Sequence, residues 1–71
     1  MRITEQDRRV LELAADGLTN REIAERLRMS SGGVDKAFWT MYRRLDIAGT
    51  VEPCEQRHEA IRQYLSGEAF E

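Results

Sequence analysis

Residues 17–31 leave this chain few ways to fold, because they crowd three helix boundaries together. Gly17 is a natural residue for the left-handed turn that follows a helix. Thr19-Asn20-Arg21-Glu22 fits a capping box, in which the Thr hydroxyl and the Glu carboxylate each accept the other's orphan backbone amide. Arg28-Met29-Ser30-Ser31 reads as a tight turn, with Ser30 or Ser31 capping the helix that follows. One helix has to stop here, a short one has to run, and a third has to begin.

The flanks complete the pattern. Thr4 is a good N-cap, and Glu5 and Asp7 in the first turn suit the helix dipole. Val10, Leu11, Ala14 and Ala15 recur at helical spacing, so the first helix is expected over 5–16. The second runs over 20–27, with Ile23, Ala24 and Leu27 on one face. The third is expected over 31–45, where Gly32 and Gly33 each cost roughly 1 kcal/mol against Ala. Ala48-Gly49-Thr50 is a linker. Pro53 suits the first position of a fourth helix over 53–66, which Gly67 closes. The residues beyond are expected to fray. Nothing reads as a strand or a repeat. The chain is therefore expected to be all-α: one domain over 1–71 made of four short helices, with a trihelical core and a C-terminal helix.

Size asks what else stabilises such a chain. With 71 residues, a single core seldom supplies more than about 3–5 kcal/mol. One cysteine, Cys54, excludes an internal disulfide, and Cys54 with His58 gives too few ligands for a metal site. Oligomerisation remains, so a dimer is expected. No apolar run approaches the roughly 20 residues that span a bilayer, and no apolar signal segment follows Met1. A soluble, cytoplasmic protein with no membrane partner and no cofactor is expected. One His, one Cys and scattered carboxylates form no nucleophile–base set, which argues against an enzyme.

The third helix separates into two faces when each residue is stepped by about 100°. Val34, Phe38, Met41 and Leu45 share one direction and form the expected buried stripe, flanked by Ala37 and Tyr42. Asp35, Lys36, Trp39, Thr40 and Arg43 lie on the other side. Trp39 is expected to be mostly exposed, and an exposed Trp often marks a partner surface. Two helices joined by a tight turn, with a capped helix behind them, are the arrangement that sets a helix into a DNA major groove.

Particular residues sharpen this. Ile3-Thr4, the run from Val10 to Gly17, Leu18-Thr19-Asn20-Arg21-Glu22-Ile23-Ala24, Leu27-Arg28-Met29-Ser30, Val34 and Tyr42-Arg43-Arg44-Leu45-Asp46-Ile47 resemble the LuxR/GerE helix-turn-helix family over residues 3–47. A sigma-factor region 4 shares much of the pattern, but the Tyr-Arg-Arg-Leu-Asp-Ile ending looks more like LuxR/GerE. So short a chain resembles the stand-alone members, without a receiver or ligand domain.

The resemblance implies a bacterial transcription regulator. In it the third helix reads bases, the turn and the start of the second helix hold phosphates, and the fourth helix pairs two copies. Base reading then falls to Asp35, Lys36 and Trp39, with Thr40 on the same face. Phosphate candidates are Asn20 and Arg21 at the start of the second helix, Ser30 and Ser31 at the start of the third, and Arg43 and Arg44 at its end. Arg8, Arg9 and Arg26 read as partners in surface ion pairs, such as Glu22–Arg26. Cys54, His58, Ile61 and Leu65 make a one-sided seam on the fourth helix, widened by Tyr64, that suits a dimer interface. Cys54 is expected to be a small buried side chain and His58 a satisfied interface residue.

Departures from the family pattern open a second possibility. The family's Thr-Val-Lys becomes Gly33-Val34-Asp35, its His becomes Ala37 and its Asn becomes Thr40. Net charge is −2, although residues 1–47 are slightly basic; Glu52, Glu55, Glu59, Glu68 and Glu71 make the C-terminal end acidic. An aspartate on the groove face accepts from cytosine N4 but meets repulsion from phosphates. Two functions are therefore expected to compete. One is a homodimeric, sequence-specific regulator of duplex DNA. The other is a helix-turn-helix module that binds a regulator or an RNA polymerase subunit and has lost strong DNA binding.

Overall fold

Each of the first three helices begins where a side chain takes up an orphan amide and ends where the backbone can turn left-handed. The computed structural model describes residues 3–70, with only the backbone of Phe70; Met1 and Glu71, both named above, lie outside the described residues. Within that span α1 is Glu5–Ala15, α2 is Asn20–Leu27, α3 is Ser31–Arg44 and α4 is Gln56–Ser66. Single 3₁₀ turns, Pro53–Glu55 and Glu68–Phe70, flank α4.

Both threonine caps are complete capping boxes. At α2, Thr19 Oγ1 accepts from the Glu22 amide (3.2 Å), while the Glu22 carboxylate accepts from the Thr19 amide (2.9 Å). At α1, Asp7 takes the role that Glu22 has in α2, accepting from the Thr4 amide at 3.1 Å. Ser30, not Ser31, caps α3, its Oγ accepting from the Gly33 amide at 2.9 Å.

The first three helices close with the same device, an amide reaching back five residues. Leu18 donates to the Leu13 carbonyl (3.2 Å), Met29 to Ala24 (2.8 Å) and Ile47 to Tyr42 (2.7 Å). That closure needs a left-handed residue. Gly17 supplies it after α1, as expected, but Arg28 (φ 56°) and Asp46 (φ 57°) supply it after α2 and α3.

The helices pack around one core. Val10, Leu11 and Ala14 of α1, Ile23 and Ala24 of α2, and Val34, Phe38 and Met41 of α3 meet Ile3, Leu45, Ile47, Ala60 and Ala69 there. The stripe expected on the third helix is the stripe that is buried. Ala37 and Tyr42 flank it, partly buried against the core. Residues 68–70 were expected to fray; instead they turn back and bury Ala69 completely. Among the described residues, no helix is long and apolar enough to cross a membrane.

The fourth helix divides the expected seam between core and surface. Its buried residues are Ala60 and Gln63. Ile61 and Tyr64 are partly buried against the core, while His58 is exposed and Leu65 is 70% exposed. Cys54, expected to be buried, is exposed. Residues 53–55 form a 3₁₀ turn with a step of about 120° and no buried residue, which takes Cys54 out of helical phase with the rest of the seam. His58 sits 3.4 Å from Glu55 on the surface.

Gly32 offers a direct check on the α3 start. A Cβ added there meets nothing within 4 Å, and the backbone is helical, so only the entropic cost of glycine remains. Gly32→Ala is expected to stabilise the fold by about 0.4–1 kcal/mol, read as a raised urea midpoint at unchanged m-value. At Gly33 a Cβ would lie 3.1 Å from the capping Ser30 Oγ, so Gly33→Ala is expected to give no such gain.

Candidate nucleic-acid interface

Burying Val34, Phe38, Met41 and Leu45 decides which way the rest of α3 points. Asp35, Lys36 and Arg43 are exposed, Trp39 is 61% exposed and Thr40 is half-buried. Two lines of side chains result. Asp35, Trp39 and Arg43 follow one another at four-residue spacing, and the Arg43 guanidinium lies 5.0 Å from the Trp39 ring centroid. Lys36 and Thr40 form the other line. With Arg44, Thr4 and Gln6 they edge a small open groove (≈ 240 Å³) between α3 and the start of α1.

The arginine at the end of α3 is differently engaged. Arg44 Nη1 lies 3.3 Å from Asp7 Oδ2, and the Asp7 side chain is 7% exposed. Asp7 thus ties the start of α1 to the end of α3, accepting from the Thr4 amide and from Arg44. Releasing Arg44 to a phosphate would leave a buried carboxylate without its cation, a costly exchange. Arg21 faces a much weaker competitor. Its pair with Glu25 is 3.6 Å long between two exposed side chains, and such pairs are worth about 0–1 kcal/mol.

Asn20 is also engaged. Its Nδ2 donates to Asp35 Oδ1, and its Oδ1 accepts from Arg57 of α4. Arg57 also donates to the Leu18 carbonyl (3.0 Å) and lies 4.6 Å from the Phe38 ring centroid. Tyr42 belongs to the same cluster. Burial pushes its hydroxyl above the usual phenol range, with the Arg57 charge opposing and the Asp35 charge adding to it. The amino end of α2 therefore has two carboxylates beside it, Glu22 in the cap and Asp35 across from Asn20.

Ser30 spends its acceptor on the cap, and Ser31 is exposed at the first position of α3. The arginines assigned to surface pairs behave as such in α1: Arg8 lies 2.7 Å from Glu5 and 3.1 Å from Glu12, and Arg9 lies 3.6 Å from Glu5. The expected Glu22–Arg26 pair acts only through charge, helping hold the Glu22 carboxyl below its usual range after the Thr19 hydrogen bonds.

Two residues on this side were not singled out from the sequence. Arg28 is exposed in the turn between α2 and α3, held in the left-handed conformation that glycine would take at lower cost. A cation at that spot in a helix-turn-helix was a readable signal. Arg57 left none, because its partners lie far away in sequence.

The family model for bacterial regulatory proteins of the luxR family matches residues 1–53. The match takes in α1, α2 and α3 and ends before α4. No curated protein and no solved structure gives a match.

Proposed function

The chain belongs to the luxR family of bacterial regulatory proteins, and from that membership we propose that it regulates transcription as a homodimer on duplex DNA, with α3 in the major groove. The outward stripe of α3 carries this reading. Asp35, Lys36, Trp39 and Thr40 are offered to base edges; Arg21, Ser31 and Arg43 are offered to phosphates, with Ser30 donating its hydroxyl proton and Arg28 added from the turn. Asn20 and Arg44 act here by holding neighbours in place and reach phosphates only if their present bonds break. The exposed face of α4 supports the pairing, since His58 and Leu65 project from it and Ile61 and Tyr64 lie partly open beside them. Cys54 flanks that face.

A mobility shift with random-sequence duplex tests the placement of α3, with Asp35→Lys as the probe. The exchange removes a charge that repels phosphate and adds one that binds it. It is expected to raise non-specific affinity about fivefold or more at ~0.1 M salt. Unchanged affinity would put residue 35 away from the duplex. Light scattering alongside it reads the oligomeric state.

A second reading is favoured by one observation, the exposed Trp39 ring with Arg43 against it. Such a pair resembles the anchors of protein interfaces. If α3 docks on a regulator or a polymerase subunit, a pull-down recovers that protein, resists nuclease and is lost in Trp39→Ala. Specific duplex binding with no recovered partner rejects it.

A further inference from the structure

We propose that Arg57 is a positioning residue for the α3 face: from α4 it orients Asn20 and, through Asn20, fixes and balances the Asp35 carboxylate. The effect on DNA rests on the reading above; the side-chain geometry does not.

The chain of contacts has one chemically consistent direction. A guanidinium carries donors and no acceptor. Arg57 Nη1 therefore needs the oxygen end of the Asn20 amide, and that leaves the Asn20 amino group turned towards Asp35, a carboxylate with no proton to give. Arg57 is itself held on three sides, by the Leu18 carbonyl at 3.0 Å, by Asn20 and by the Phe38 ring at 4.6 Å. Phe38 is 4% exposed and belongs to the core, so the guanidinium rests on a fixed platform. Cation, amide and carboxylate form a relay from α4 through the start of α2 to the first turns of α3.

This relay bears on a carboxylate that would otherwise oppose DNA. With Oδ1 committed to Asn20, Asp35 keeps its second oxygen for one donor, such as the amino group of a cytosine. With Arg57 nearby its charge is matched from within the domain. Without Arg57, Asn20 is free to flip and Asp35 brings an unmatched negative charge to the phosphates. Arg57 lies outside the segment that matches the family, and Asp35 lies where the resemblance drawn from the sequence places a lysine. The two unusual features are joined by Asn20.

A double-mutant cycle over wild type, Arg57→Gln, Asp35→Asn and the double variant tests this. Each chain is read for affinity to random-sequence duplex, for urea unfolding and for the Asn20 side-chain amide resonances. Gln keeps a donor for the Leu18 carbonyl, and the unfolding curves verify that each variant is folded. Arg57→Gln is expected to weaken duplex binding about tenfold while Asp35 is present and much less when residue 35 is Asn, a coupling that a mere staple between helices would not produce. The Asn20 amide resonances are expected to move in both single variants. Equal weakening with Asp or Asn at 35 overturns the proposal and makes Arg57 a phosphate contact or a staple. Asn20 resonances that ignore Arg57→Gln overturn it as well. If the wild-type chain binds no duplex, the DNA reading has failed, and the Asn20 resonances alone decide whether Arg57 positions the pair.

Discussion

Met41→Ala is expected to cost about 2–5 kcal/mol and to leave the domain largely unfolded at 25 °C. Met41 is on α3, completely buried among residues from the other helices. Truncating it removes the transfer energy of the lost atoms and opens a void that close-packed neighbours fill only in part. What makes the loss decisive is the size of the reserve. A core in a chain of 71 residues seldom supplies more than about 3–5 kcal/mol. Urea unfolding followed by circular dichroism reads it, at one protein concentration because pairing of copies would add apparent stability. Trp39→Ala, two residues away on the exposed side, is the control and should move stability by no more than about 0.5 kcal/mol. A loss below ~1 kcal/mol for Met41→Ala would mean that α3 is turned the other way, which would also unseat every assignment on its outer face.

Lys36→Ala is expected to weaken specific DNA binding by about 1–3 kcal/mol, with little change in stability. Lys36 is exposed on α3 and makes no ion pair among the described residues, so removing it breaks no partner within the fold. It stands at the groove edge with Thr40, on the opposite flank from Asp35. A lysine that meets guanine O6 and N7 changes specificity as well as affinity, whereas one that meets a phosphate weakens all sequences alike and lowers the salt slope by about 1. Titrating one cognate and several mutated duplexes separates the two outcomes. No loss on any duplex would remove Lys36 from the interface. Before such a target sequence is known, the comparison can be made on duplexes enriched by the wild-type chain itself.

What the sequence made legible was local. The capping box at Thr19, the helix bounds and the buried side of α3 all follow from spacings of three to four residues, and hydrophobic periodicity records them. Three things escaped it for physical reasons. Left-handed closures at Arg28 and Asp46 carry no glycine to announce them. The 3₁₀ turn at Pro53–Glu55 shifts Cys54 out of phase with a seam that simple helical counting had drawn straight. The polar ties from Asp7 to Arg44 and from Asn20 to Arg57 each join residues 37 apart, and a pairing at that distance leaves no periodic trace. Those ties matter for the site, because they occupy two of the six residues read as phosphate contacts. α4 is where sequence reasoning was weakest. Its ion pairs join only α4 and the 3₁₀ turns beside it, with Arg62 against Glu59 at 2.8 Å helping hold the Glu59 carboxyl down to about 2.

The central claim is that the side of α3 turned away from the core meets a polyanion. Fluorescence anisotropy of a labelled duplex, titrated with the wild-type chain at several salt concentrations, tests it most directly. With about three cationic phosphate contacts from each of two protomers, affinity is expected to fall roughly 10³-fold between about 50 and 200 mM salt, as the bound counterions are released. Affinity that holds steady across that range, or no binding at the lowest salt, would contradict the claim.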